Sequence, residues 1–158
     1  MTRKSGLTVF LAITGTVLLW FPLVAMVILA ALHLARSEAI KRAMRVTLCK
    51  TSSAAAATPS CDTAASWQQG WLVFVDGDTR GVVDGGDLPM WVQHRSPPEV
   101  SITSTEFDAY ISYLPNGRSQ RSQNKNFSNG RISICAAGNR RDIVINNSGR
   151  PKLETHIC

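Results

Sequence analysis

Between Leu7 and Ala35 the chain carries no charged side chain, and His33 is the only strongly polar member of the run. An uncharged apolar stretch longer than about 18 residues reads as a membrane-crossing helix. At about 1.5 Å per residue this one reaches ~43 Å. The hydrocarbon core of a bilayer needs only about 30 Å, so one end must project beyond the lipid. A secretory signal has an apolar region of roughly 7–15 residues followed by a small-residue cleavage site. The run is too long for that, and a retained anchor is expected. Pro22 lies mid-span and should kink the helix or loosen one turn.

The flanks leave orientation open on charge alone. Arg3 and Lys4 precede the span, whereas Arg36, Lys41, Arg42, Arg45 and Lys50 follow it, and basic residues favour the cytoplasmic side. The cysteines decide for an oxidising compartment. Cys49, Cys61, Cys135 and Cys158 form no CxxC pair, which excludes the usual zinc-ribbon and thioredoxin spacings. Four cysteines on a small tethered domain suggest two disulfides. Three connectivities are possible, and proximity in sequence favours Cys49–Cys61 and Cys135–Cys158. The N-terminus is therefore read as cytoplasmic and the larger part as lying in an oxidising compartment, which for a bacterial inner membrane is the periplasm.

Past the anchor, ARSEAIKRAMRV contains no glycine or proline. Ala35, Ala39, Ile40, Ala43 and Met44 recur with helical spacing, and Arg36, Lys41, Arg42 and Arg45 fall elsewhere. The membrane helix is thus expected to run on into the soluble part and to lay a small-residue stripe on it. Val46–Cys49 alternates like a strand, and TSSAAAATPS is a low-complexity loop. Strands are expected at Gly70–Val75, Leu88–His94, Glu99–Thr103, Tyr110–Tyr113, Gly130–Cys135 and Asp142–Asn146, with turns at DGD, DGGD, SPP, PNG, SNG, AGN and NSG between them. The reading is α+β: a basic segment at 1–6, a transmembrane helix at 7–35 and a globular domain at 36–158, its helix packed on an antiparallel sheet.

Within SWQQGWLVFVDGD, Trp71, Val73 and Val75 share one face by period two and are expected in the core with Trp67. The acidic turn after them, DGDTRGVVDGGD, places Asp76, Asp78, Gly81, Asp84 and Asp87 at positions 1, 3, 6, 9 and 12 of a calcium loop. Arg80 occupies position 5, where a ligand belongs, so a hairpin with Asp and Gly supplying turn geometry is the stronger expectation and the four aspartates are weak metal candidates. His94 and His156 lie in no Ser–His–Asp or Cys–His arrangement, and no P-loop, GxGxxG or HExxH motif is present. The chain is therefore read as non-enzymatic, with no cofactor and no small-molecule substrate.

Charge is unevenly distributed. Cys61 to Asp108 holds eight acidic residues against Arg80 and Arg95, and Ala109 to the end holds eight basic residues against Asp142 and Glu154. Arg140, Arg141, Arg150 and Lys152 flank a short strand and form a candidate phosphate-gripping cluster. Solubility and protection of a sheet edge explain the same residues.

LARSEAIKRAMRVTLCK, WQQGWLVFVDGD, YLPNGR, GRISIC and NSGRPK, in that order, resemble the GspH/FimT family of minor pilins and pseudopilins. The resemblance implies a pilin-like fold, with a long N-terminal helix half in the membrane and half on an antiparallel sheet. It implies a tip subunit of a type IV pilus or of a type II secretion pseudopilus. Its partners would be other pilins or pseudopilins and the inner-membrane assembly machinery. It also implies leader cleavage at Gly6, with Leu7 as the new, methylated N-terminus. Some FimT-like members bind DNA through a C-terminal Gly-Arg-x-Arg motif. Gly149-Arg150-Pro151-Lys152 matches it with lysine last, which keeps the charge but loses the planar fork. A DNA-binding tip protein is thus one alternative. An orphan anchored domain is another, because the glutamate the family carries fifth after the cleavage point is replaced by Leu11, and roughly 20 residues of helix before LARSEAIKR are absent, about 30 Å of stalk.

Overall fold

The computed structural model describes residues 5–122 and 129–158, with side chains from Phe21 onward; Arg3 and Lys4 lie outside them. The apolar run and the segment after it form one 38-residue helix, α1 (Ser5–Arg42), continuous through Pro22. Lys41 and Arg42 occupy its last turn, where cations complement the helix dipole. Glu38 ties to Arg42 at 2.6 Å and to Lys41 at 3.7 Å. The helix stops at Ala43, whose φ of 53° leaves the helical region.

Nine strands follow: β1 (Val46–Lys50), β2 (Trp71–Val75), β3 (Leu88–Gln93), β4 (Ser101–Thr103), β5 (Tyr110–Tyr113), β6 (Ser119–Arg121), β7 (Gly130–Ala136), β8 (Asn139–Ile145) and β9 (Pro151–Ile157). The expected single sheet is two. One has the order β3-β2-β1-β5-β6 and the other β4-β7-β8-β9, and every pairing is antiparallel. The split follows from non-local pairing: β1 inserts between β2 and β5, which leaves β4 to pair with β7. Proline falls only on edge strands, Pro89 in β3 and Pro151 in β9, where a missing N–H breaks no ladder.

α1 lies across both sheets, touching β1, β2 and β5 of the first and β7, β8 and β9 of the second. Its buried stripe is Phe21, Ala25, Ile28, Ala31, Leu32, Ala35 and Ala39. The stripe expected from the sequence is correct at Ala35 and Ala39 and wrong beyond them. Ile40 and Met44 are exposed, and Ala43 lies outside the helix. The helix ends one residue after Lys41, so no further turn remains to carry the seam onward. Alanine at four of the seven contacts lets the helix axis approach the strands closely.

β1 and β2 are buried on both faces, which explains the unbroken apolar run Leu72–Val75. Val46, Leu48, Trp71, Val73 and Val75 join the core under the helix, with Trp67. Cys49, Leu72 and Phe74 point the other way and meet Cys61, Val83, Val92 and Tyr110. The loops after β1 and β2 therefore cover the outer face of the first sheet. Trp67 donates its indole N–H to the Phe107 carbonyl at 3.2 Å, and Trp71 meets Trp91 edge-on at 5.4 Å between ring centroids. Gly70 precedes β2 at φ 140°, and a Cβ there would lie 2.7 Å from the Gln93 carbonyl oxygen, so only glycine fits without displacement.

Candidate functional site

The acidic turn between β2 and β3 is organised around Asp76, which is buried. Its carboxylate accepts from the Thr47 hydroxyl at 2.5 Å and the Gly81 N–H at 2.8 Å, and pairs with Arg45 at 2.7 Å. Asp87 accepts from the Gly77 N–H at 2.7 Å and the Asp84 N–H at 3.2 Å, while Asp84 accepts from the Thr79 N–H at 3.1 Å. Asp78 offers its backbone carbonyl to Arg45 at 3.1 Å. Asp76, Asp78, Asp84 and Asp87 thus do not converge as a calcium loop requires. Three of the carboxylates cap donors of the turn itself. Among the described residues no group of three or more His, Cys, Asp and Glu is placed to hold a metal.

The four candidate basic residues do not form one patch either. Arg140 and Arg141 are adjacent on β8, so their side chains leave opposite faces of the sheet. Arg140 pairs at 3.3 Å with Asp142, a buried carboxylate that also lies 3.5 Å from Arg131 and 3.6 Å from His156. Arg141 hydrogen-bonds Thr155. Lys152 reaches Glu154 at 3.2 Å, and this contact holds the Glu154 carboxyl below its ordinary range. Across the ladder Arg140 faces His156 and Lys152 faces Val144. That separates the two cations by four residues along β8, ~13 Å at strand rise.

Arg150 instead joins a cluster that the sequence does not announce. It lines a cavity of about 420 Å³ with Arg36 of α1 and with Asn116, Arg118, Asn147 and Ser148 of two turns. Arg36 donates to the Gly117 carbonyl at 3.1 Å, and Arg118 to the Asn147 carbonyl at 3.2 Å. Gly117 and Gly149 both have positive φ, and a Cβ on Gly149 would collide with the Gly117 carbonyl. The two turns abut because Gly149 has no Cβ, while the missing Cβ of Gly117 leaves room for Arg36 and Ile40 of α1. Nearby, Tyr113 is wholly buried, its hydroxyl has no hydrogen-bond partner among the described residues, and burial pushes its ionisation well above the ordinary tyrosine range, Arg36 pulling the other way. The three arginines come from LARSEAIKR, PNGR and NSGRPK, so the only sequence signal was their shared position beside quoted motifs.

The remaining surface of interest is the helix. Phe21–Arg42 is long and apolar enough to cross a membrane, although one stripe of it packs on the sheets. On its outward side Leu23 and Met26 are each 53% exposed. Comparison with known families then gives a match to the model described as Type II transport protein GspH, over residues 24–149. The chain belongs to the GspH family.

Among solved structures, this GspH-family chain is similar to the type IV minor pilin FimU of Pseudomonas aeruginosa PAO1, with a TM-score of 0.60 and 17% identity over 85% of this chain and 87% of that one. It is also similar to the minor pseudopilin EpsH of the type 2 secretion system of Vibrio cholerae, with a TM-score of 0.55 and 11% identity over 87% and 97% of the two chains. These likenesses establish the shared fold, an N-terminal apolar helix on antiparallel sheets. No curated protein matches. The family and fold are those of structural pilin and pseudopilin subunits.

Both disulfides of this GspH-family chain join the nearest cysteines. Cys49–Cys61 has a Cα separation of 5.6 Å and Cys135–Cys158 one of 6.2 Å. The first fastens the low-complexity loop over the outer face of β1. The second fastens the C-terminal residue to β7. Gly6 and Leu7 sit in the first turn of α1.

Proposed function

We propose that the chain is a minor pilin or pseudopilin, a non-catalytic structural subunit held in the inner membrane by α1, with its sheets in the periplasm. The observation that carries this reading is the division of α1. One stripe from Phe21 to Ala39 is buried on both sheets, and the same helix continues N-terminally as the uncharged apolar segment to Leu7. A helix built this way can anchor a domain before assembly and pack against neighbouring helices afterwards. Its partners are other pilins or pseudopilins and the inner-membrane assembly machinery, and the two disulfides suit a periplasmic domain. Cleavage after Gly6 would expose Leu7 as the new N-terminus.

The test is the intact, non-reduced mass of the protein extracted from membranes. A chain beginning at Leu7, carrying a methyl group and lacking four thiol hydrogens, is the expected result. A chain beginning at Met1 or Thr2 would overturn processing by prepilin peptidase. Four free thiols would overturn the periplasmic placement. Co-purification with other pilin-like subunits after cross-linking tests assembly separately.

A further inference from the structure

The cavity shared by Arg36, Arg118 and Arg150 has a described lining of three guanidiniums, two asparagines and a serine, and no carboxylate among them. Three like charges around one small space repel one another, so their convergence favours an anion between them. Two of the guanidiniums are fixed by backbone, Arg36 on the Gly117 carbonyl and Arg118 on the Asn147 carbonyl. Guanidiniums held in this way are preorganised for a carboxylate or phosphate, which they grip through paired N–H groups. The other basic candidates do not prolong the cluster. Arg140 pairs with Asp142, Arg141 with Thr155 and Lys152 with Glu154. A compact cluster suits one entering carboxylate better than the continuous line of phosphates of a nucleic acid.

The topology supplies such a carboxylate. The β5–β6 turn, which carries Arg118, follows Tyr113, and Tyr113 pairs with Val46. The acidic β2–β3 connection follows Val75, which also pairs with Val46. Both therefore leave the same end of the first sheet. In the order β3-β2-β1-β5-β6 they stand on opposite sides of β1, about three strand spacings or ~14 Å apart. Asp76, Asp84 and Asp87 accept hydrogen bonds within the acidic turn, whereas Asp78 is exposed with its backbone carbonyl on Arg45. The cations of that region are held against the domain, Arg45 on Asp76 at 2.7 Å and Arg80 over the Tyr110 ring at 5.8 Å. Copies anchored in one membrane share one orientation, so a neighbour that approaches side by side presents its acidic turn at the end of the sheet where this copy presents its arginines. Such a contact is heterologous: each copy receives with one surface and gives with another, and its repetition builds a row rather than a closed pair.

We propose that the cavity of Arg36, Arg118 and Arg150 receives the acidic β2–β3 turn of a second copy of this chain, with Asp78 as the entering carboxylate. This rests on the anchor reading above, which gives all copies one orientation.

The test uses the full chain in membranes. One copy carries Thr79→Cys beside Asp78, the other carries Asn147→Cys at the cavity, and a short bismaleimide joins thiols that lie close together. Membranes holding both copies should yield a linked dimer, and membranes holding either copy alone should not, because the contact is head-to-tail. Asp78→Arg on the first copy, or Arg150→Glu on the second, should cut the yield about tenfold. Combining the two reverses both charges and should restore the link, which also shows that both variants fold. Failure to restore it would overturn Asp78 as the entering group. Equal links from either copy alone would overturn the head-to-tail contact, and a yield unmoved by Arg150→Glu would overturn the arginine receptor. Absence of any link in chains that remain in the membrane fraction would overturn the contact and leave the anchor standing. Chains missing from that fraction would overturn the anchor and the contact together. Salt-dependent binding of duplex DNA that Arg150→Glu abolishes, without any link between copies, would give the cavity to nucleic acid instead.

Discussion

Two carboxylates, Asp76 and Asp142, are wholly or almost wholly buried, one in each sheet region, and they are held in opposite ways. Asp76 receives a hydroxyl, a backbone N–H and a guanidinium from the elements around it. Asp142 lies among Arg131, Arg140 and His156 at 3.3–3.6 Å, and neither of its oxygens has a hydrogen-bond partner among the described residues. Hydrogen-bonded charge in a low-dielectric interior specifies a geometry. Charge surrounded by partly exposed cations is held by attraction that solvent can in part replace. The first arrangement therefore fixes the β2–β3 turn, and the second mainly balances charge on the outer face of the second sheet.

Asp76→Ala should have the largest effect. It strands the Gly81 N–H and leaves Arg45 without its buried partner, and breaking such a pair typically costs about 3–5 kcal/mol. Urea unfolding of the domain measures it, and a loss below about 1 kcal/mol would mean that solvent satisfies the turn as easily as Asp76 does.

Next come the disulfides, one in each region. Their sequence separations of 12 and 23 predict about 3 kcal/mol for each in the chain-entropy model. Paired serine variants, Cys49→Ser with Cys61→Ser and Cys135→Ser with Cys158→Ser, should therefore unfold at similar urea concentrations. A clearly larger loss for the first pair would show that Cys49 also stabilises by its buried contacts with Leu72 and Phe74.

Asp142→Asn should cost less, about 1 kcal/mol, because Arg131, Arg140 and His156 can turn to water. Raising the salt concentration should shrink that difference while leaving the Asp76→Ala penalty nearly unchanged. Equal salt sensitivity for both would collapse the contrast between the two sites.

The smallest effects belong to two half-buried glutamates. The Arg42 contact lowers the Glu38 carboxyl, and the Lys152 contact lowers the Glu154 carboxyl, from the ordinary value of 4.5. A lowered folded-state value means that each contributes stability above that ordinary value and loses it as pH falls through the folded value. Glu38→Gln and Glu154→Gln should thus differ from the parent at neutral pH and converge with it in acid, as read by thermal unfolding across pH 3 to 7.

Much of this architecture was legible beforehand. Leu7–Ala35 announced a helix because charge is absent from it, and ARSEAIKRAMRV extended it because no breaker intervenes. The span Tyr110–Tyr113 coincides with β5, and the starts of β3 and β7 were placed correctly. Ser119–Arg121 and Pro151–Ile157 were missed as strands, because both are polar edge strands whose formation depends on a neighbour's free backbone rather than on their own pattern. The start of β8 was placed three residues late, since Asn139–Arg141 carries no apolar alternation and is drawn into the ladder by β7.

The candidate sites divide in the same way. DGDTRGVVDGGD connects β2 to β3, and the Asp and Gly residues that supply its turn geometry are a local fact of the sequence. The basic residues were misgrouped. Neighbours in sequence, Arg140 and Arg141, leave opposite faces of β8, while Arg36, Arg118 and Arg150 meet across more than a hundred residues. By itself, then, the sequence determined the anchor helix, the buried strand Trp71–Val75 and the turn-forming role of the acidic segment, because each depends on spacing within one short window. Only the tertiary structure decided the two-sheet split and the arginine cluster. Those depend on which distant backbones pair and how closely their glycines let them approach, and neither quantity is written in any local stretch.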